Sequence, residues 1–246
     1  MDEMKELGQI DSKKLTARGT DPQDEKFFSK TALDKRSYAQ EEIRFLIDRG
    51  YPIKPVVKLI GDHYQLSTRQ RLALTRGTCT TQNEEIRKGK SLPLEEMKNQ
   101  TIFIDGFNVI ITLEVALSRG IILKGQDNIM RDLAGLRGTY RLIDKTELAL
   151  ALLGKILDDF KVKEVYFYLD APVSNSGRLK TKILEQSANW KVKVQVEVVN
   201  NPDTILSEME HVVTGDAIIL DRCKTCFNLV AYIIENYIPE AWIIYF

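Results

Sequence analysis

Gln100–Ile111 reads QTIFIDGFNVII. A short run of Ile and Phe broken by Asp105-Gly106 is the pattern of a buried strand whose carboxyl end delivers an aspartate. Open α/β sheets bind their ligands along that edge. Taken alone, the stretch has an equally good plain reading, because Asp-Gly is an ordinary turn and an Asp after a strand often caps the next element. The choice depends on whether the pattern recurs.

It recurs downstream. Glu164–Leu169, EVYFYL, runs into Asp170-Ala-Pro, and the Val/polar alternation of Val192–Val199 predicts a half-buried strand. Asn200-Asn201-Pro202-Asp203 follows, where Pro202 suits the first turn of a helix and Asp203 would project from its N-terminus. A brief strand at His211–Thr214 then leads to Asp216, with Asp221 beyond it. Helices fall between these runs: one opened by Asp144 and Glu147 as a capping box, one over RLKTKILEQSANW, and one over Phe227–Tyr237. Ala241–Phe246, AWIIYF, is a closing strand. Strands alternating with helices across 101–246 predict an α/β fold, a parallel sheet flanked by helices on both faces.

Val109–Arg141 is the least readable part. A helix over Val109–Leu117 is expected there, with further strands as the alternative. Arg131, Arg137 and Arg141 bring positive charge into a glycine-bearing loop that could border a phosphate path, and Ser174, Ser176 and Arg178 form a polar loop opening the next helix.

Upstream, residues 1–25 are polar and read as a mobile arm. Residues 26–88 form a small basic all-α domain. Its first helix should turn Leu33, Tyr38, Ile43, Leu46 and Ile47 inward, and its second, from about Lys54 to Asp62, Val56, Val57, Leu59 and Ile60. A third opens with the capping box Ser67-Thr-Arg-Gln70. The last two resemble a helix-turn-helix, and Arg69, Arg71 and Arg76 would suit phosphate contact. Residues 89–100, with their Gly, Pro and charge, read as a linker.

Composition narrows the function classes. The 246 residues carry 35 basic and 35 acidic side chains, so no global field advertises a partner. Locally the signs separate. Lys35–Lys90 holds twelve Lys and Arg against six Asp and Glu, whereas 101–246 holds sixteen against nineteen. No apolar run reaches the roughly 18 residues of a membrane span, so no membrane partner and a cytoplasmic location are expected. Cys79, Cys223 and Cys226 form no disulfide framework. Cys223-Lys-Thr-Cys226 lacks a second ligand pair for zinc, and reduced, unliganded thiols are expected.

In a parallel sheet Asp105, Asp170 and Asp216 leave one edge, and Asp203 opens a helix facing it. Crowded carboxylates repel unless a cation offsets them, and hard oxygen ligands without convergent His or Cys select Mg²⁺ or Mn²⁺. Such ions favour phosphodiester hydrolysis.

IDGFNVI, YLDAP, NNPDTIL and VVTGDAIILD, in that order, resemble the acidic motifs of the PIN-like nucleases, particularly the NYN branch, over residues 101–246. The preceding residues resemble the small helical domain fused to PIN-like domains in prokaryotic proteins of unknown function. The resemblance implies a metal-dependent nuclease, acting on RNA in preference to DNA. Asp105 and Asp216 match the first and late catalytic aspartates, Asp203 the acidic residue between them, and Asn108 the motif asparagine; Asp105, Asp203 and Asp216 would hold the metal. Asp170 and Asp221 are looser matches. Two residues after Asp216, where the pattern has a second aspartate, stands Ile218, so Asp221 would have to substitute. Arg131, Arg137, Arg141, Ser174, Ser176, Arg178, Arg69 and Arg71 would contact the strand, and a homodimer is compatible with the chain. The alternative function is nucleic-acid binding by an inactive PIN-like domain. A phosphatase of the haloacid-dehalogenase type is disfavoured, since Phe107 stands where its second aspartate belongs.

Overall fold

The computed structural model describes residues 17–135 and 138–246. Arg137 and the side chain of Leu33, both singled out above, lie outside the described residues, as do residues 1–16 of the expected arm.

The described chain begins with α1 (Asp24–Phe27), α2 (Lys30–Ile47), α3 (Ile53–His63), α4 (Thr68–Gly77) and α5 (Thr81–Lys90). β1 (Ser91–Leu92) and a 3₁₀ turn at Leu94–Met97 lead to β2 (Thr101–Asp105) and α6 (Gly106–Leu117). Next come β3 (Ile121–Lys124), β4 (Met130–Asp132), α7 (Asp144–Asp159), β5 (Glu164–Asp170), α8 (Ser176–Ser187) and β6 (Lys193–Val199). The chain continues with α9 (Pro202–Leu206), β7 (Val212–Val213), α10 (Ala217–Arg222), β8 (Cys226–Phe227), α11 (Leu229–Tyr237) and β9 (Trp242–Tyr245).

Six strands form a fully parallel sheet in the order β1-β8-β7-β2-β5-β6. β2 is central: Ile102 and Ile104 are fully buried on one of its faces, and Phe103 on the other is partly covered. The chain moves outward from β2 through β5 to β6, then returns to the other side of β2 through β7 and β8. The strand order therefore reverses between β2 and β7, and the crossovers diverge at their carboxyl ends. A crevice opens there as a consequence of topology.

The hard-to-read segment contains both of the elements left open. α6 is the expected helix, and β3 and β4 are strands of a second, three-stranded sheet, β4-β3-β9, in which β9 runs parallel to β3. This small sheet sits between the helical residues and the large sheet. Ile121, Leu123, Leu133 and Ile244 form a cluster with Phe28 and Ala73, and Phe246 packs against that cluster and against the core of α2–α4. At Gly77 an added Cβ would stand 2.5 Å from the Phe246 ring, so the end of α4 accepts no side chain there.

Four sequence expectations are corrected here. The described part of the arm is packed: Arg18 pairs with the fully buried Glu114 at 2.8 Å, and Asp24 is buried against Arg69. The linker is part of the sheet, since Ser91 and Leu92 pair with Cys226 and Phe227. The first turn of α7 is held by Thr146, which accepts the Ile143 N–H at 3.0 Å; Asp144 is already inside the helix. In α2 and α3, Tyr38 and Leu59 turn outward, while Ile43, Ile47, Val56, Val57 and Ile60 are buried as their spacing requires. The Ser67/Gln70 capping box is present in full. No helix among the described residues is long and apolar enough to cross a membrane.

Candidate functional site

Asp105 ends β2 at the reversal point and is buried, with 6% of its surface exposed. Although it stands at the N-terminus of α6, its side chain makes no capping bond. Its Oδ2 instead accepts the Thr214 hydroxyl at 2.7 Å from the end of β7. Thr214 Oγ1 in turn accepts the Asp216 N–H at 3.0 Å, and Asn108 Oδ1 accepts the Gly215 N–H at 2.6 Å. These three bonds lock the carboxyl ends of β2 and β7 together. Gly215 permits the approach: a Cβ there would meet the Met130 carbonyl at 2.9 Å and Asn108 Oδ1 at 3.0 Å.

Asp105, Asp170, Asp203 and Asp216 line one cavity of about 620 Å³. Asp132, from the end of β4, is a fifth carboxylate on its wall. Among the described residues no Lys or Arg forms an ion pair with any of the first four, and only Arg76 approaches Asp132, at 3.6 Å. Burial pushes the Asp105 carboxyl up to about 7; the Thr214 bond opposes this, and the charges of Asp216, Asp203 and Asp170 add to it. Asp170 is raised by burial and by Asp203, and Asp203 by burial and by Asp216. Asp203 is free of capping duty, because Asn201 caps α9. Asp216 is the exception, since its Oδ1 accepts the Ile218 and Ile219 N–H groups at 2.7 and 3.3 Å.

A hard divalent cation suits this donor set in kind, because the wall offers five carboxylates, the Asn108 amide and hydroxyl oxygens with no imidazole or thiol, and Arg76 is its one cation. As placed, no three His, Cys, Asp or Glu among the described residues converge closely enough to hold a metal ion.

The family described as a domain of unknown function (DUF5616) matches residues 94–232, and that described as a protein of unknown function (DUF434) matches residues 37–90. The chain belongs to the DUF5616 family. It is similar to an uncharacterized protein of Methanocaldococcus jannaschii, 36% identical over 199 residues that cover 80% of this chain and 95% of that one. No solved structure matches.

The DUF5616 region thus contains all five cavity carboxylates, but several expected site residues lie elsewhere. Asp221 is absent from the wall; it pairs with Arg87 at 2.7 Å and accepts from Asn83 at 3.3 Å. It cannot stand in for the acid missing at Ile218, which is itself exposed. Arg131 is buried, bound to Asp127 at 2.6 Å and to the Gly215 carbonyl at 2.8 Å, so it braces the site from behind. Arg69 clamps Asp24 and the carbonyls of Gly19 and Leu133, and Arg71 is held by Asp62 and the Leu66 carbonyl. Arg69 thereby ties α4 to the arm and to the Leu133 backbone of the α/β half, whereas the partners of Arg71 all lie within the helical residues. Ser174 bonds to the Tyr140 backbone, and Ser176 is buried. Arg141 and Arg178 are exposed and form no ion pair among the described residues.

Thr214 and Asp132 were missed by the sequence reading. Asp132 could have been found, because MRD repeats the motif of an apolar start ending in aspartate, but a three-residue strand is too short to carry that signal. Thr214 has no such marker in the sequence.

Proposed function

We propose that this chain is a divalent-metal-dependent nuclease that hydrolyses phosphodiester bonds in RNA. The carrying observation is the cavity at the strand-order reversal in which Asp105, Asp170, Asp203 and Asp216 form no ion pair among the described residues. Arg76 is the one cation among the described residues of that wall and faces Asp132; the other four carboxylates have no ion pair there, and a bound Mg²⁺ or Mn²⁺ would offset their repulsion. Asp105, Asp203 and Asp216 would hold the ion, which would lower the pKa of a bound water and stabilise the leaving oxygen. Thr214 fixes one Asp105 oxygen, and Asn108 fixes the Gly215 backbone, so the Asp105 and Asp216 carboxylates are oriented before substrate arrives. Asp170, half-buried with its carboxyl raised, is the remaining group able to take a proton from water. Arg141 and Arg178 would meet the strand at the surface.

The test is incubation of the full chain with labelled single-stranded RNA and Mn²⁺, with and without chelator, beside Asp105→Asn and Asp216→Asn. Cleavage should require the metal and both aspartates; Asn retains the capping oxygen at 216. Cleavage that persists in chelator, or in both variants, would rule the reading out. A second reading is RNA binding without hydrolysis, which fits the finding that, as placed, no three ligands among the described residues converge on one point. It expects RNA binding by the parent with no cleavage under any metal.

A further inference from the structure

A second cavity, of about 440 Å³, adjoins the carboxylate one, and Arg76 and Asp216 belong to both walls. Its chemistry is different. Ile47 and Ile53 give it an apolar side, Tyr51 stands at it with 58% of its surface exposed, and Thr78 and Asn83 add neutral polar groups. Its volume is in the range of small-ligand pockets, about 300–1,000 Å³. The walls come from both halves of the chain: the α2–α3 turn, the end of α4 and the start of α5 on one side, Arg131 and Gly215–Ala217 on the other.

Charge also divides the two compartments. Arg87 and Arg131 reach this wall but are neutralised by Asp127 and Asp221. Arg76 is the looser cation. Its guanidinium is 3.6 Å from Asp132 and partly exposed, at the partition between a chamber of five carboxylates and one whose wall holds Asp216 alone of them, with Tyr51 at its edge. The Thr78 hydroxyl is buried and makes no hydrogen bond among the described residues.

We propose that the second cavity receives the nucleoside next to the scissile phosphodiester of a single-stranded RNA, stacked on Tyr51, with Arg76 gripping the intervening phosphate. The proposal rests on the nuclease reading for the word scissile, and adds what holds the strand in register. Unpaired bases can be splayed out and stacked on an aromatic ring, whereas paired bases cannot, so the cavity selects single strands. A guanidinium at the partition offsets the repulsion a phosphate meets on approaching the aspartates. It also assigns a task to the helical half, which supplies Tyr51 and Arg76.

The experiment separates binding from cleavage. Anisotropy of a labelled hexaribonucleotide, with Ca²⁺ replacing Mn²⁺, is measured for the full-length parent, Tyr51→Ala, Tyr51→Trp and Arg76→Gln, with cleavage assayed in parallel with Mn²⁺. Tyr51→Ala should weaken binding about tenfold, the scale of one lost base–aromatic stack, and Tyr51→Trp should restore it. Arg76→Gln should reduce the salt dependence of log K by about 0.7, one phosphate of a single strand. An abasic hexamer should make the parent and Tyr51→Ala equal. Affinity unchanged by Tyr51→Ala, or a parent that binds no RNA, overturns the subsite. Tyr51-dependent binding without cleavage retains it and removes the nuclease reading instead.

Discussion

Asp105 and Asp127 are both buried aspartates, 6% and 5% exposed, and their surroundings act on them in opposite directions. Asp127 accepts from Arg131 at 2.9 and 2.6 Å and from Arg87 at 2.6 Å. Burial would raise its carboxyl, but those bonds and charges outweigh it and hold the group at about 2. Asp105 has one hydroxyl and three neighbouring carboxylates, and it goes up to about 7. The fold can neutralise a buried acid where structure requires it, as the Arg87–Asp127–Arg131 network shows. A few residues away, at the reversal point, it does not. Unrelieved charge in a cleft marks a site with a task beyond folding.

The contrast can be broken at four points. Asp127→Ala leaves Arg87 and Arg131 buried without their shared partner and should cost about 3–5 kcal/mol of stability in urea denaturation. A loss within experimental error would mean the network is not structural.

Asp105→Asn should act in the other direction. A carboxyl raised from 3.8 to about 7 binds its proton more tightly in the folded state, so its contribution to stability is full at acid pH. That contribution fades as pH climbs through 7. The variant should therefore be more stable than the metal-free parent by ~1–4 kcal/mol at pH 8, with the gain gone near pH 4. Denaturant titrations at the two pH values decide it, and equal differences at both would refute the assignment. Mn²⁺ at a hundredfold excess over its Kd should stabilise the parent by about 2.7 kcal/mol and the variant hardly at all, read as a shift in Tm.

Asp221→Asn sharpens the boundary between the two regions. Arg87 keeps Asp127, so a loss of about 1 kcal/mol is expected, with metal-dependent cleavage at the parental rate. A collapse of cleavage would restore Asp221 to the site. The smallest effect should come from Arg141→Ala and Arg178→Ala, each weakening RNA binding less than about threefold and flattening its salt dependence.

Most strands and helices of 101–246 were legible where a short apolar run meets a turn or cap, as EVYFYL and Asp170 do; β3, β4, α10 and β8 were not. Asp105, Asp170, Asp203 and Asp216 could be read as one group because parallel topology puts strand ends on one edge. The partners that decide each charge could not be read this way. Asp221 and Asp216 look alike in VVTGDAIILD, yet five residues along a short helix carry Asp221 round to Arg87. Arg69, Arg71 and Arg131 look like a phosphate-binding set, but each is engaged by an aspartate, Asp24 from 45 residues away and Asp62 and Asp127 from nine and four, and nothing in residue type alone marks those pairings. β3 escaped reading because its pairing with β9 joins residues about 120 positions apart, and β4, a three-residue strand at the edge, is held only by β3. Local periodicity contains no record of such a partner.

That late pairing has a consequence for the molecule's mechanics. With Ser91–Leu92 woven into one sheet and Trp242–Tyr245 into the other, the helical residues are stitched to the rest at two separate seams. The joint near residue 90 lies between the two family matches but offers no hinge, and excising either half would uncover the Phe246 contacts and leave a raw apolar face. Limited proteolysis should accordingly find no stable fragment ending there, and ligand entry has to proceed without the halves swinging apart.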